Sequence, residues 1–224
     1  MPYGCFGNVI MIEREWIIYL SMATLVWVGL YYGIRFLKLN NHLLGYEWIV
    51  LGVSAACGIL YISKLAPQVI TVWPFLDLFS KLFGVTIIGA LGVMRVTNRF
   101  ELSMRQELVI FSAGLLISYV FMISSTLYAT VEIVSFLTAL LFLLSLVFLA
   151  IQSFSYGLKW HGGLIAIAIV ANIALALWRD FSGEGGGTMN IESMAFILQH
   201  LIWSSSFAAL FYAYRALGRR KGLL

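Results

Sequence analysis

The sequence predicts an all-α polytopic membrane protein: one transmembrane domain of seven helices, with its N-terminus outside and its C-terminus in the cytoplasm. Three observations lead there. Of the 224 residues, 62% are hydrophobic and only 11% charged, against roughly 25% charged in an ordinary soluble domain. Mean hydropathy is +0.95, more apolar surface than a soluble fold of this length can hide behind a polar shell. Apolar runs of about 20 residues, the length that crosses a bilayer, recur along the whole chain.

Read in order, these runs predict spans at about 15–37, 45–66, 70–95, 106–129, 131–156, 161–180 and 191–215 within a single domain of residues 1–224. The opening MPYGCFGNVIMIEREW lacks a basic n-region and acidic residues break its apolar run, so no cleavable signal peptide is expected. The fourth and fifth spans are separated only by Tyr128 to Glu132, which requires a tight turn. Ser182 to Thr188, rich in glycine, predicts a flexible loop between the last two spans. It is no phosphate cradle, because no Walker lysine follows it.

Charge placement orients the helices. Arg35, Lys38, Arg95, Arg99, Arg105, Lys159, Arg215, Arg219, Arg220 and Lys221 fall on one side, and only Arg14, Lys64 and Arg179 on the other. Cytoplasmic loops carry the excess of Lys and Arg, so the C-terminus is expected inside, and an odd number of spans puts the N-terminus outside. The net charge of +4 therefore reflects topology and no nucleic-acid surface. Tryptophans near span ends (Trp16, Trp48, Trp73, Trp160, Trp178) read as an interfacial belt. Ser54, Cys57, Gly58 and Tyr61 form a small, mildly polar stripe on the second span, suited to close helix packing. Glu47 and Glu107 stand near helix starts, where a carboxylate suits the dipole.

Ionisable residues inside a span are costly and are functional candidates by default. Asp77 and Lys81 in the third span are i and i+4, hence on one face; a structural ion pair and a functional site are both open. The seventh span carries Gln199, His200 and Ser204, preceded by Glu192. In the predicted topology Asp77, Lys81, Glu192, Gln199, His200 and Ser204 gather in the outer half of the membrane and are the expected ligand-binding residues. Histidine adds a group that titrates near neutral pH.

Seven spans with the N-terminus outside suggest a microbial rhodopsin, but that family needs a lysine in the seventh span, and residues 199–214 hold none. The segment FILQHLIWSSSFAALFYAYRAL, with Asp77 opening the third span and Ser54 in the second, resembles the CREST superfamily of seven-helix membrane proteins, which includes alkaline ceramidases and progestin/adiponectin receptors. The resemblance implies a shared fold. The chain departs from the pattern at Ser204, which stands where a second histidine would, and in the second span, which has no histidine. The family's three-histidine zinc site, and with it the hydrolase chemistry, is therefore not expected.

The expected function is non-enzymatic: an outer-half polar pocket that binds or senses a small molecule or lipid. An accessory subunit of a larger membrane complex and a channel or proton-coupled transporter are the alternatives. No catalytic residue, cofactor or metal is expected. The expected partners are the lipid bilayer, a small-molecule or lipid ligand and partner membrane subunits. The expected location is a membrane of the bacterial inner (plasma) type.

Overall fold

The computed structural model describes residues 4–181 and 193–224, the side chains of residues 4–14 and of Asp180 excepted. Glu192 and the glycine-rich loop at 182–188 thus lie outside the described residues. Among the described residues there is no strand, and seven helices are long and apolar enough to cross a membrane. They are α1 (Gly4–Lys38), α2 (His42–Ile62), α3 (Pro67–Asn98), α4 (Met104–Ile123), α5 (Val131–Ser155), α6 (Lys159–Phe181) and α7 (Met194–Arg220). Arg35, Lys38, Arg95, Arg219 and Arg220 mark one end of the bundle, called here the basic end; the opposite end is the far end.

Side-chain caps set several boundaries. Asn41 precedes α2 and accepts a hydrogen bond from the Leu44 amide at 3.1 Å. Ser103 and Gln106 form a capping box at the start of α4, and Ser193 caps α7 through the Phe196 amide. Each satisfies an amide that the first helical turn leaves without a partner. The fourth span ends earlier than its apolar run, at Ile123. Ser124 adopts an extended conformation there and caps a single turn, Ser125–Tyr128, before α5 begins.

The closest packing is between α1 and α2. A Cβ at Gly29 would fall 2.7 Å from the Trp48 carbonyl oxygen and 2.8 Å from the Gly52 Cα. One turn later a Cβ at Gly33 would meet Ile49 and the Gly45 carbonyl. Glycine at both positions of this small-xxx-small pair lets the two backbones touch. The α2 stripe expected to pack closely does so at Gly58, where a Cβ would strike Met22 and Trp73.

Beside this pair sits an aromatic core that joins α1, α2 and α7. Phe36 packs edge-on against Trp48, Phe211 and Tyr214, and Trp48 lies 4.6 Å from Phe207, centroid to centroid. Such pairs add about 0.5–1.5 kcal/mol each beyond the area they bury. Trp48 is fully buried, so it belongs to the core and leaves the predicted interfacial belt; Trp16 and Trp160 remain exposed.

The third span, α3, is not one uniform helix. A 3₁₀ turn (Pro67–Ile70) leads into α-helix (Val72–Phe79), then nine residues of π-helix (Ser80–Ile88), then α-helix again (Gly89–Asn98). π-Helix is rare, occurs mostly as single-turn bulges, and is frequent at functional sites. This span is also the best buried, at 67%, against 17% for α4 and α5 and 22% for α6. The sequential helices α4 and α5 do not pack along one another: α4 lies on α3 and the edge of α2, whereas α5 packs on α3, α6 and α7.

The contact of α1 with α2 yields a direct prediction. Gly29→Ala should destabilise the protein by about 1–3 kcal/mol, the cost of overpacking a tight site. Gly163→Ala, where nothing lies within 4 Å, should be neutral or slightly stabilising. Denaturation midpoints of both variants in mixed detergent micelles check the contrast.

Candidate functional site

Three of the predicted site residues do converge. Lys81 donates to the Asp77 carboxylate at 2.5 Å, and the two side chains are 30% and 29% exposed. His200 of α7 is buried and lies within electrostatic reach of both charges. Its Nδ1 is 2.7 Å from the Phe196 carbonyl oxygen. A carbonyl only accepts, so Nδ1 carries the hydrogen, and Nε2 is the nitrogen left to meet a ligand or a proton.

The other predicted residues turn elsewhere. Gln199 accepts from Arg179 of α6 at 3.3 Å. Ser204 donates to the His200 carbonyl at 2.7 Å and stands 3.4 Å from the Thr24 hydroxyl of α1. Asn172 of α6 donates to Ser206 at 2.9 Å. These contacts tie α7 to its neighbours, as polar side chains do inside apolar bundles. Glu192 lies outside the described residues.

In the far half of the bundle Ile18, Met22, Phe79, Phe196 and Ile197 are buried, whereas α5 is lightly covered. On α5 the buried residues are Leu146, Leu149, Ala150 and Ser153, all toward the basic end. None of residues 131–145 is buried. The far half of α5 nevertheless packs along Ser80–Ile88 of α3, with the Phe142 ring against Gly89. A separate cleft of about 410 Å³ opens at the same end between α1 and α2, with Glu15, Tyr19, Tyr61 and Lys64 on its walls.

At the basic end a second polar layer, missed in the sequence, is closely knit. Asn41 donates to the Gly92 carbonyl at 2.9 Å and to the Tyr214 hydroxyl at 3.0 Å, joining α2, α3 and α7. His42 pairs with Glu107 at 3.1 Å, so Glu107 serves α2 as well as its own helix start. Arg95 reaches the Asn40 carbonyl. Lys221 donates to the Val96 and Thr97 carbonyls at 2.9 and 2.8 Å and to Gln152, capping the end of α3. Burial, with the Arg99 guanidinium nearby, pushes the Lys221 ammonium below the ordinary lysine value, while its three acceptors favour the charged form.

Sequence signals for this layer existed. Asn40-Asn41 ahead of His42 is a turn followed by a cap, but the tertiary partners of Asn41 and Lys221 are far away in the chain. Among the described residues, no three His, Cys, Asp or Glu side chains group closely enough to hold a metal ion. The chain matches no family model, no curated protein and no solved structure.

The exposure of the ion pair decides how much it stabilises. With the exposed third of each side chain in contact with water, the pair contributes less than about 1 kcal/mol; with that third facing lipid, it contributes more. A double-mutant cycle with Asp77→Asn and Lys81→Met, read by thermal denaturation in detergent, should therefore return a coupling energy below that figure where water reaches the pair. A coupling several times larger would make the pair a structural clamp.

Proposed function

We propose that the chain is an integral membrane protein whose basic end faces the cytoplasm. In this reading the face of α3 that carries Asp77 and Lys81 binds or senses a lipid or lipid-like small molecule. The observation that carries the reading is the half-open Asp77–Lys81 pair at the start of the π-helical stretch, with His200 opposite it. Charged groups inside a span are expensive and mark ligand or ion pathways.

The chemistry narrows the ligand class. Lys81 suits an anionic group, Asp77 an ammonium, and His200 Nε2 a hydrogen-bond donor or acceptor according to its protonation. The outer half of α5 exposes apolar side chains, among them Ile133, Phe136 and Leu137. An amphipathic molecule with an anionic or zwitterionic head could therefore enter from the lipid, with its tail left among the apolar side chains.

The orientation rests on the basic residues of one end. In a background lacking Cys5 and Cys57, Leu65→Cys should react with a membrane-impermeant maleimide in intact cells. Leu223→Cys should react only after lysis. Equal labelling of both, or the reverse pattern, defeats the orientation.

Ligand binding is tested by native mass spectrometry of the protein released from lipid nanodiscs. The wild type should carry a bound species of fixed mass, and Asp77→Asn and His200→Ala should lose most of it while retaining their melting temperature. Equal occupancy in all three proteins would remove the proposed site.

A further inference from the structure

Glu47 of α2 faces Gly84 of α3 and belongs to neither polar layer. It is fully buried, and neither carboxyl oxygen has a hydrogen-bond partner. The carboxyl group presses on the α3 backbone: a Cβ at Gly84 would fall 2.2 Å from both oxygens. Only glycine at this point of the π-helix leaves room for it. Ser80, four residues earlier in the same π-helix, is also buried, and its hydroxyl is without a partner. That hydroxyl is close enough to act on the carboxyl group, though outside hydrogen-bond geometry.

The surroundings offer no counter-charge. On α3, Lys81 is engaged with Asp77 and Arg95 with the Asn40 carbonyl. On α4, Glu107 is engaged with His42 of α2. On α1, Arg35 lies over the Tyr31 ring. Tyr32 and Lys38 of α1, Arg105 of α4 and Tyr46 of α2 are further titratable or charged groups on the surrounding elements. None of these makes a hydrogen bond or ion pair with Glu47. A bare carboxylate in an apolar interior is among the costliest groups to bury, and it neutralises where no partner is supplied.

We propose that Glu47, with Ser80 beside it, is a proton-binding site inside the bundle, placed where a change of its charge acts directly on the π-helical segment of α3. The neutral acid fits between α2 and Gly84 as packed. Loss of the proton leaves a charge that must draw in water, a cation or the Ser80 hydroxyl, and each of these requires the π-helix to move. The site stands on different residues from the Asp77–Lys81 face and does not depend on a ligand there.

Infrared spectra of the full chain in lipid bilayers at neutral pH test this. The wild type should show the C=O stretch of a carboxylic acid free of hydrogen bonds, and Glu47→Gln should lose that band. The wild type alone supplies a second measurement, should the variant fail to fold. A hydrophobic carbodiimide takes the carboxyl proton on nitrogen while the carboxylate oxygen bonds to its central carbon. Rearrangement to an N-acylurea retains the whole reagent, so mass spectrometry should find the adduct on the Glu47 peptide. A water-soluble carbodiimide should leave that peptide unmodified. Carboxylate bands in place of the acid band, or no Glu47 adduct with the hydrophobic reagent, would overturn the proposal. Sodium converting the acid band to carboxylate would overturn it as well, by making the site one for a metal cation.

Discussion

The backbone contact between α1 and α2 is the constraint on which the remaining arrangement depends. Gly29, Gly33, Gly45 and Gly52 bring the two helices together at distances no larger side chain permits. The rotation of α2 is then settled. Trp48 is directed into the aromatic core with Phe36 and Phe207, and its neighbour Glu47 faces Gly84 of α3. A helix held this rigidly can keep an unpaired carboxyl group in place, because no small tilt of α2 relieves it. Apolar helices gain little from apolar association within lipid, so close packing and polar contacts supply the specificity.

The third span is where the polar features meet. Its far part carries Asp77 and Lys81, its π-helical middle lies under Glu47, and its basic end is held by Asn41 at Gly92 and by Lys221 at Val96 and Thr97. One end of α3 is tied to α2, α5 and α7, while its far part packs on α2 and α4. The π-helical stretch lies between the two regions.

Much of the fold was legible along the chain. The seven spans, their order and their starts to within a few positions follow from apolar run lengths, while the caps Asn41, Ser103 and Ser193 came with the structure. Asp77, Lys81 and His200 stood out because charged and titratable groups are scarce in apolar runs. Other features were hidden for definite reasons. Glu47 looked like a dipole-compatible residue near a helix start, and nothing local announces that Gly84, thirty-seven positions later, lies against it. Trp48 sits near a helix end like an interfacial tryptophan, yet it is the partner of Phe207 far along the chain. The glycine pair at positions 29 and 33 emerged only with its partner helix, because the backbone of α2 is what makes those positions tight.

Sequence by itself determined the helical class, the number of apolar spans, the asymmetric placement of basic residues and the identity of the costly intramembrane groups. These are properties of single segments, decided by hydropathy, length and cap chemistry. Tertiary structure decided which of those groups come near one another: His200 within electrostatic reach of the Asp77–Lys81 pair, Gln199 bonded to Arg179, Glu107 paired with His42, and Glu47 in no ion pair. It also decided the π-helical form of α3 and the low burial of residues 131–145. The physical reason is that facing and register between helices are set by side-chain volume at contacts distant in sequence, and no single segment contains that information.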